Sequence, residues 1–378
     1  LRQNAGDAIL PALFSSEEIR DLQVWSNLAW IDPAFRREEP IRSLFAKERH
    51  FTEEDKQALL DWQLTLIGRV ISTYRLLFEA GKIDISFTPY YHPILPLLCD
   101  TNSALEGLPR LTLPKTRFRH PEDAEWHIVE AKKLFEKLFG CDMKGMWPSE
   151  GSVSEDAAEL MIKHGVLWTA TDEEILYRSL EKSGMKGSRR SPHAVFEYGG
   201  KLKVFFRDRA LSDRIGFVYS SWDADKAVAD FIGHLKRVRS LLVDRLDTAV
   251  VPIILDGENA WEYFPNDGRE FLQGLYRRLD EDPTLRTVTM TQAAESHTAY
   301  PLPALYAGSW INSNFRIWVG HPEDNAAWGL LSTARETLVA FEKDHPDYDP
   351  RKLEAAWRQV YIAEGSDWCW WYGDEHRG

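Results

Sequence analysis

The spacing of hydrophobic positions changes along the chain, from a helical beginning to alternating strands and helices. In residues 1–80 the apolar positions follow a helical pattern, and a capping box at residues 15–18 predicts a helix start. Beyond this segment, short apolar or alternating runs predict strands. The predicted strands are residues 83–87, 144–147, 166–170, 204–206 and 250–255, with a weaker pattern at residues 287–290.

Helical stretches separate these strands, which predicts βαβ units and a parallel sheet. Polar residues follow at least four of the strands, and this favours a barrel over an open sheet. We expect three regions. Residues 1–80 form a helical segment inserted in or packed on the barrel, residues 81–300 form the barrel, and residues 301–378 form a C-terminal helical region.

Glu150 lies between a predicted strand and a predicted helix. Pro148 favours an extended conformation for Trp147. The residues from Ser152 to Glu155 have the pattern of a capping box, which predicts that a helix begins there and uses Glu155 in its cap. A strand, a carboxylate and then a capped helix is the arrangement in which a parallel βα unit presents a catalytic group.

Asp256 follows residues 250–255, a short apolar run typical of a strand buried on both faces. With Glu150 it supplies the two carboxylates that glycosidic bond cleavage requires. A single carboxylate after a strand is more often a helix cap or an ion-pair partner. Glu258 is the nearby alternative to Asp256 for the catalytic role, and we expect it to position a hydroxyl group or a neighbouring side chain instead.

Tyr90 and His92 end another predicted strand, in the sequence Tyr-Tyr-His-Pro. A core histidine bonded to a backbone carbonyl is the default interpretation of His92, but its position at a strand end favours substrate binding. For Asp208 and Asp213, which flank arginines, ordinary ion pairing is the simpler explanation.

Composition limits the class of protein and of partner. The chain of 378 residues has 44% hydrophobic and 28% charged residues, which is typical of soluble globular proteins. Its net charge of −13 argues against nucleic acid and anionic membranes as partners. Three scattered cysteines fit a reducing, cytoplasmic compartment. The chain has no initiator Met, so we expect a fragment of a longer protein, and an upstream signal peptide stays possible; oligomeric state stays open.

Tryptophan is unusually frequent, with 15 residues. Core packing explains some of them, but Trp beside polar turns is also what a sugar-stacking cleft needs. Such residues are Trp147, Trp222, Trp261, Trp310, Trp318, Trp368, Trp370 and Trp371. The aromatic run near the C-terminus is either a hydrophobic lid or, because Glu364, Ser366 and Asp367 interrupt it, one wall of a polar cleft. The sequence has no metal-ligand, phosphate-loop or nucleophile-elbow motif, so we predict neither a metal nor a cofactor.

Four segments together resemble glycoside hydrolase family 57, most closely its amylopullulanase and α-amylase branch. They are Tyr-Tyr-His-Pro-Ile-Leu-Pro-Leu-Leu, Gly-Met-Trp-Pro-Ser-Glu-Gly-Ser-Val-Ser, Asp-Gly-Glu-Asn-Ala-Trp-Glu-Tyr and Glu-Gly-Ser-Asp-Trp-Cys-Trp-Trp-Tyr-Gly. They look like four of the family's five sequence regions, in the family's order. The resemblance implies an α/β fold, a (β/α)7-type barrel followed by a helical domain. It also implies action on α-glucans with retention of configuration and without a redox cofactor.

The resemblance also implies roles for individual residues. Glu150 matches the nucleophile and Asp256 the general acid/base. The implied substrate-binding positions are His92, Trp147, Asp367, Trp368, Trp370 and Trp371, to which the strand-end and turn positions add Tyr90, Glu258 and Trp261.

One part of the family pattern is missing. The family's first region, a His-Gln-Pro segment on the first barrel strand, does not occur in this sequence, and we expect it upstream of Leu1. The barrel is therefore expected to be incomplete at its N-terminus. An open gap with an apolar groove should lie between the strand near Ile83 and the strand at residues 250–255.

The predicted function is retaining hydrolysis of α-glucans such as starch, glycogen or pullulan, at α-1,4 and possibly α-1,6 bonds. A 4-α-glucanotransferase or branching-type transglycosylase would use the same two carboxylates. From another class, a non-catalytic carbohydrate-binding protein would explain the tryptophans but not the paired carboxylates. A metal-dependent deacetylase or mannosidase would need a ligand cluster that the sequence lacks.

Overall fold

The computed structural model describes residues 14–188 and 190–373, apart from the side chains of residues 258–260. In this part of the chain the α-helices are α1 (Ser16–Leu28), α2 (Ile41–Lys47), α3 (Glu53–Glu79), α4 (Leu95–Cys99), α5 (Ala104–Gly107), α6 (Pro121–Phe139), α7 (Glu155–Lys163), α8 (Glu173–Lys182), α9 (Arg209–Asp213), α10 (Ala224–Leu241), α11 (Gly257–Glu262), α12 (Arg269–Glu281), α13 (Met290–Ser296), α14 (Pro322–Asp344) and α15 (Pro350–Ala363).

The described part of the N-terminal segment is helical, as its pattern predicts. Helix α1 begins at the predicted capping box, in which Ser15 and Glu18 each accept a backbone N–H of the other. The apolar faces of α1, α2 and α3 pack together in a small core that includes Val24, Phe51 and Trp62. This segment therefore has a core of its own beside the sheet.

A six-stranded sheet forms the centre of the remaining chain, in the order β1-β2-β3-β5-β4-β6. The strands are β1 (Ser86–Phe87), β2 (Gly145–Met146), β3 (Trp168–Asp172), β4 (Phe196–Tyr198), β5 (Leu202–Arg207) and β6 (Tyr300–Leu302). The run from β1 through β2 and β3 to β5 is parallel throughout, and β4 is antiparallel to β5. The carboxyl ends of β1, β2, β3 and β5 therefore meet at one edge, which confirms the predicted parallel sheet.

The structure corrects two predicted strands. Residues 250–255 have no regular secondary structure and are not part of the sheet. Pro252 has no N–H to donate, and its carbonyl accepts the N–H of Asp208 at 2.9 Å. The weaker prediction at residues 287–290 is also wrong, because Thr289 caps the start of α13. The sequence reading missed β4 and β6. Gly199 and Gly200, with φ of 61° and 69°, form the turn that joins β4 to β5.

One predicted helix cap is also wrong. The residue that caps α7 is Ser154, whose hydroxyl accepts the N–H of Ala157 at 3.2 Å. Glu155 does not complete a capping box with Ser152; its carboxylate accepts the N–H of Leu305 at 3.2 Å instead. Long-range pairing with the segment that follows β6 thus replaced the local bond that the sequence pattern favoured.

A cavity of about 470 Å³ adjoins β1 and the end of residues 250–255. Asp84, Ser86 and Thr88 line one side of it, and residues 253–256 line the other. A larger cavity of about 800 Å³, lined in large part by apolar side chains of α10 and residues 249–253, continues beside it. That an upstream segment would fill a gap between these residues stays a prediction. Among the described helices, none combines the length and apolar character needed to cross a membrane.

We predict that close packing at β2 makes the sheet intolerant of a single added methyl group. A Cβ built on Gly145 would lie 2.0 Å from the Trp168 ring, so Gly145→Ala should lower the free energy of unfolding by about 1–3 kcal/mol. The same change at Gly68 in α3 meets no described atom within 4 Å and should raise that free energy by about 0.5–1 kcal/mol. Denaturant unfolding of the two variants measures both changes. Equal effects at the two positions would contradict the packing argument.

Candidate active site

The backbone at Glu150 adopts a left-handed turn directly after β2. Glu150 has φ 57° and ψ 26°, a conformation that costs a non-glycine residue about 1–2 kcal/mol. The segment after β6 holds the turn in place, because the Trp310 N–H donates to the Glu150 carbonyl at 3.1 Å. One turn further on, Val153 and Gly308 exchange two backbone hydrogen bonds. This pairing sets the direction in which the Glu150 side chain leaves the backbone.

The Glu150 carboxylate is held by the same tryptophan. The indole Nε1–H of Trp310 donates to Glu150 Oε2 at 2.9 Å. The other oxygen, Oε1, lies 3.9 Å from His92 Nε2. Only 14% of the Glu150 side chain is exposed, so both contacts act where water screens charge weakly.

Burial is the largest influence on the Glu150 carboxyl and raises its pKa above the ordinary value for glutamate. The hydrogen bond from Trp310 and the nearby His92 oppose this effect and lower the pKa. The negative charges of Asp256 and Asp367 raise it further. The two carboxylates singled out in the sequence are therefore close enough for one charge to affect the protonation of the other.

His92 lies on a second left-handed turn, after β1. Tyr91 and His92 both have φ of 58°. Ser366 holds this turn from the C-terminal region: its N–H donates to the His92 carbonyl at 3.0 Å, and its hydroxyl lies 2.8 Å from His92 Nδ1. The neighbouring Asp367 carboxylate, 91% exposed, lies 3.9 Å from the same nitrogen. The Tyr-Tyr-His-Pro segment and the C-terminal aromatic run thus meet beside Glu150.

Asp256 is exposed at the start of α11, directly after residues 250–255. It lines the 470 Å³ cavity together with Trp147, Trp168 and Trp310. The rings of Trp147 and Trp310 meet edge to face, with centroids 5.0 Å apart. This cavity is therefore an aromatic-walled cleft with a carboxylate at its mouth and Glu150 behind one wall.

The other predicted substrate-binding residues differ in their surroundings. Tyr90 is half-buried against the main core and meets the ring of Tyr91 edge to face. Trp261 is half-buried in the separate core around α10 and α12, where it packs on Phe264 and Phe271. The side chain of Glu258 lies outside the described residues.

The three C-terminal tryptophans share a short turn but not one environment. Trp368 is half-buried, meets Trp328 edge to face and donates its indole N–H to the Ala363 carbonyl at 3.0 Å. Trp370 is half-buried near Trp318. Trp371 is 78% exposed. All three retain exposed surface, and Trp371 has the most to offer a ligand.

An ion-pair cluster lies at the ends of β3 and β5. Buried Asp172 pairs with Arg209, and Arg207 pairs with Asp213 and lies 3.7 Å from Asp172. Asp208 accepts from His193 at 3.0 Å. The contact with Arg207 confirms the ion-pair interpretation of Asp213, whereas Asp208 caps α9 by accepting the N–H of Leu211 at 2.9 Å.

The same cluster reaches the site through Arg207. Its guanidinium carbon lies 5.3 Å from the centre of the Trp310 ring, a cation–π distance. Nearby, burial and the charges of Asp208 and Asp172 raise the pKa of Glu173 to about 7. Arg207 therefore links the ion-pair cluster to the ring of Trp310.

Sequence reasoning missed two groups with direct roles in this geometry. Trp310 was noted only as one of several tryptophans beside polar turns, and Ser366 only as a polar interruption in the aromatic run. One sequence signal could have pointed to Trp310: it follows the turn residues Gly308 and Ser309. Nothing local in the sequence indicates that its partner is Glu150.

Comparison with known proteins gives a family and a fold. The family model described as Glycosyl hydrolase family 57 matches residues 9–306. Similar solved structures include a GH57-type branching enzyme from Pyrococcus horikoshii, with a TM-score of 0.67, 16% identity, and coverage of 95% of this chain and 73% of that chain. A GH57 branching enzyme from Thermococcus kodakaraensis, solved in complex with glucose and additives, has a TM-score of 0.65 and 15% identity, covering 94% and 72%.

A third similar structure is an α-amylase from Thermotoga maritima, with a TM-score of 0.63, 15% identity, and coverage of 96% of this chain and 76% of that chain. Comparison with curated proteins gives no match. At these identities the likeness establishes the fold. It confirms the predicted α/β class of the (β/α)7 type.

We predict that Trp310→Phe raises the pKa of Glu150 further, because the indole N–H stabilises the ionised carboxylate and phenylalanine has no donor. Carboxyl ¹³C NMR of glutamate-labelled protein, assigned with Glu150→Gln, measures the titration. Trp30→Phe, at a tryptophan that is 80% exposed, is the matched control and should leave the titration unchanged. A Glu150 pKa that stays constant or falls in Trp310→Phe would contradict the assigned hydrogen bond.

Proposed function

Because the chain belongs to glycosyl hydrolase family 57, we propose that it cleaves α-glucosidic bonds of α-glucans with retention of configuration. Glu150 attacks the anomeric carbon, and Asp256 first donates a proton to the leaving oxygen and then activates the incoming water. The substrates are polysaccharides or oligosaccharides of the starch, glycogen and pullulan type. The similar structures include two branching enzymes and an α-amylase, which supports this class.

One observation carries the proposal: the buried carboxylate of Glu150 is bonded to Trp310, and Trp310 and the exposed Asp256 line the same aromatic-walled cavity. Glu150 is 14% exposed and fixed by Trp310, whereas Asp256 is exposed at the cleft mouth. A nucleophile must have a fixed direction of attack. An acid/base must reach both the leaving group and water. The fixed, buried position of Glu150 suits the nucleophile, and the exposed position of Asp256 suits the acid/base.

The contacts of Glu150 also favour one of its oxygens as the attacking atom. Trp310 occupies Oε2, so we assign the attack to Oε1, on the side where His92 lies 3.9 Å away. There His92 can donate to a hydroxyl group of the same sugar. The indole contact with Oε2 withdraws charge from the carboxylate, which also makes it a better leaving group in the second step.

Aromatic and acidic groups around the cleft would bind further sugar units. Trp147 lines the cavity, and Trp371 and Asp367 are largely exposed on the turn that holds His92. Sugar C–H faces stack on indole rings, and carboxylates accept hydroxyl hydrogen bonds. We assign Tyr90, Trp368 and Trp370 supporting positions, because each is packed against the main core.

Hydrolysis of the α-amylase or amylopullulanase type is the activity we assign first. Transfer to a second glucan, as in a branching enzyme or 4-α-glucanotransferase, differs only in whether water or a sugar hydroxyl attacks the glycosyl-enzyme. The ratio of reducing sugar released to glucan transferred, measured on maltooligosaccharides, starch and pullulan, separates these activities and the preference for α-1,4 or α-1,6 bonds.

We predict opposite azide products from variants of the two carboxylates. Asp256→Ala should lose about 10²–10⁴-fold on maltooligosaccharides but keep cleaving aryl α-glucosides, whose leaving groups need little proton donation. Added azide should then attack the β-linked glycosyl-enzyme and give an α-glucosyl azide. Glu150→Ala should lose both steps, and azide that replaces its carboxylate should give the β-linked azide.

The matched control is Asp280→Ala, an exposed aspartate on α12, which should behave as the wild type. Product configuration is read by NMR. If the two variants exchange their azide products, the roles of Glu150 and Asp256 are reversed. If both variants keep wild-type activity on maltooligosaccharides, neither residue is catalytic.

A further inference from the structure

A buried polar network lies behind the His92 turn and takes no part in the proposed reaction. It joins α6, α14 and the end of α15. His127 Nε2 lies 2.8 Å from Glu364 Oε2, and neither side chain has exposed surface. Beside them, Arg335 donates to Asp123 at 2.9 Å. Such groups are costly to bury unless the contacts that they make offset the cost.

Both members of the pair connect directly to the His92 turn. His127 Nδ1 lies 2.6 Å from the Tyr90 carbonyl, and the Tyr90 N–H donates to the His127 carbonyl at 3.1 Å. Glu364 is two residues before Ser366, which binds the His92 carbonyl and ring. The network therefore connects Tyr90, the residue before the turn, with the segment of Ser366, which binds the turn from the other side.

The turn needs such support. Tyr91 and His92 are consecutive left-handed residues without glycine, and each costs about 1–2 kcal/mol in that conformation. The packing leaves little room for adjustment, because a Cβ on Gly365 would lie 2.4 Å from the Tyr91 carbonyl oxygen. A turn of this kind persists only where surrounding contacts determine it.

We propose that His127 and Glu364 are positioning residues that hold the Tyr91–His92 turn, so that His92 stays against Glu150. The expected effect on activity rests on the proposed function, whereas the expected effect on the position of His92 does not. His127 and Glu364 touch neither Glu150 nor the cleft in the contacts described above; they act through Tyr90 and Ser366.

The protonation states of Glu364 and His127 decide which of their atoms donate hydrogen bonds. Burial, followed by the nearby Asp123, raises the pKa of Glu364 to about 10. Burial lowers the pKa of His127 to about 4, against the opposing effect of the Tyr90 carbonyl. Between these values Glu364 is protonated and His127 is neutral. The Glu364 hydroxyl then donates to Nε2, and Nδ1–H donates to the Tyr90 carbonyl, so a neutral chain of donors fixes the turn.

This assignment distinguishes two substitutions at one position. Glu364→Gln has nearly the same shape and an amide N–H that can donate to His127, so it should preserve the turn. Glu364→Met has a similar volume but no donor, and it should release His127 and the turn. A misplacement of His92 by about 1 Å should lower kcat/KM about 10–100-fold.

The test uses the full chain with histidine labelled for NMR. The His92 ring resonances, assigned with His92→Gln, should stay at their wild-type positions in Glu364→Gln and move in Glu364→Met. The acid limb of kcat/KM should move to higher pH in Glu364→Met only, because His92 lowers the pKa of Glu150 and a loosened turn weakens that effect. Val24→Ala, in the separate core of α1–α3, controls for a general loss of stability.

Several outcomes would overturn the proposal. Unmoved His92 resonances in Glu364→Met would do so, and so would Gln and Met variants that are equally impaired, since the carboxylate charge itself would then matter. If Glu364→Met does not fold, His127→Leu replaces it with the same expectations. If neither folds, Glu364→Gln alone decides, by keeping or losing the wild-type resonances. A wild type inactive on α-glucans would refute the proposed function, whereas the NMR comparison would still decide the positioning role.

Discussion

The two-point contact between Trp310 and Glu150 is the interaction on which the site depends. The backbone N–H of Trp310 binds the Glu150 carbonyl, and its indole N–H binds the carboxylate. The first bond stabilises a left-handed turn that glutamate would otherwise avoid, and the second fixes the direction of the side chain. Because Trp310 follows β6 and Glu150 follows β2, the contact couples distant parts of the sheet to one carboxylate.

Neighbouring polar groups stabilise the negative charge of Glu150. Burial disfavours the Glu150 anion, and the indole of Trp310 and the imidazole of His92 partly offset that cost. Behind them, Arg207 supports the Trp310 ring, and Ser366 supports His92. The site is thus built from layers: the groups that touch Glu150 are each held by a further polar group. Two left-handed turns, at Glu150 and at residues 91–92, bring the inner layer together.

The sequence predicted the parallel sheet and the helical N-terminal and C-terminal segments because the patterns behind them are local. Apolar runs bounded by turns identified four strands of the sheet, and a strand followed by a carboxylate made Glu150 a candidate. The predictions failed where long-range pairing decides the structure. Residues 250–255 have the composition of a buried strand, but Pro252 cannot donate and the segment lies beside a cavity. Glu155 exchanged its local cap for a bond to Leu305.

The site shows the same division. His92, Trp147 and Asp367 have recognisable motifs, and the structure places each of them beside Glu150 or in the adjoining cleft. Trp310 and the pair of His127 with Glu364 could not be assigned, since their partners are separated from them by more than a hundred residues. Only the folded chain shows which buried polar groups meet.

The most direct test of the account is to trap the glycosyl-enzyme. A fluorinated α-glucosyl fluoride, which forms the intermediate faster than it releases it, is incubated with the protein, and the labelled peptide is identified by mass spectrometry. The account predicts a single label on the Glu150 carboxylate, abolished in Glu150→Gln and formed in Asp256→Ala. A label on Asp256, or turnover of the same compound by Glu150→Gln, would contradict the claim that Glu150 is the nucleophile.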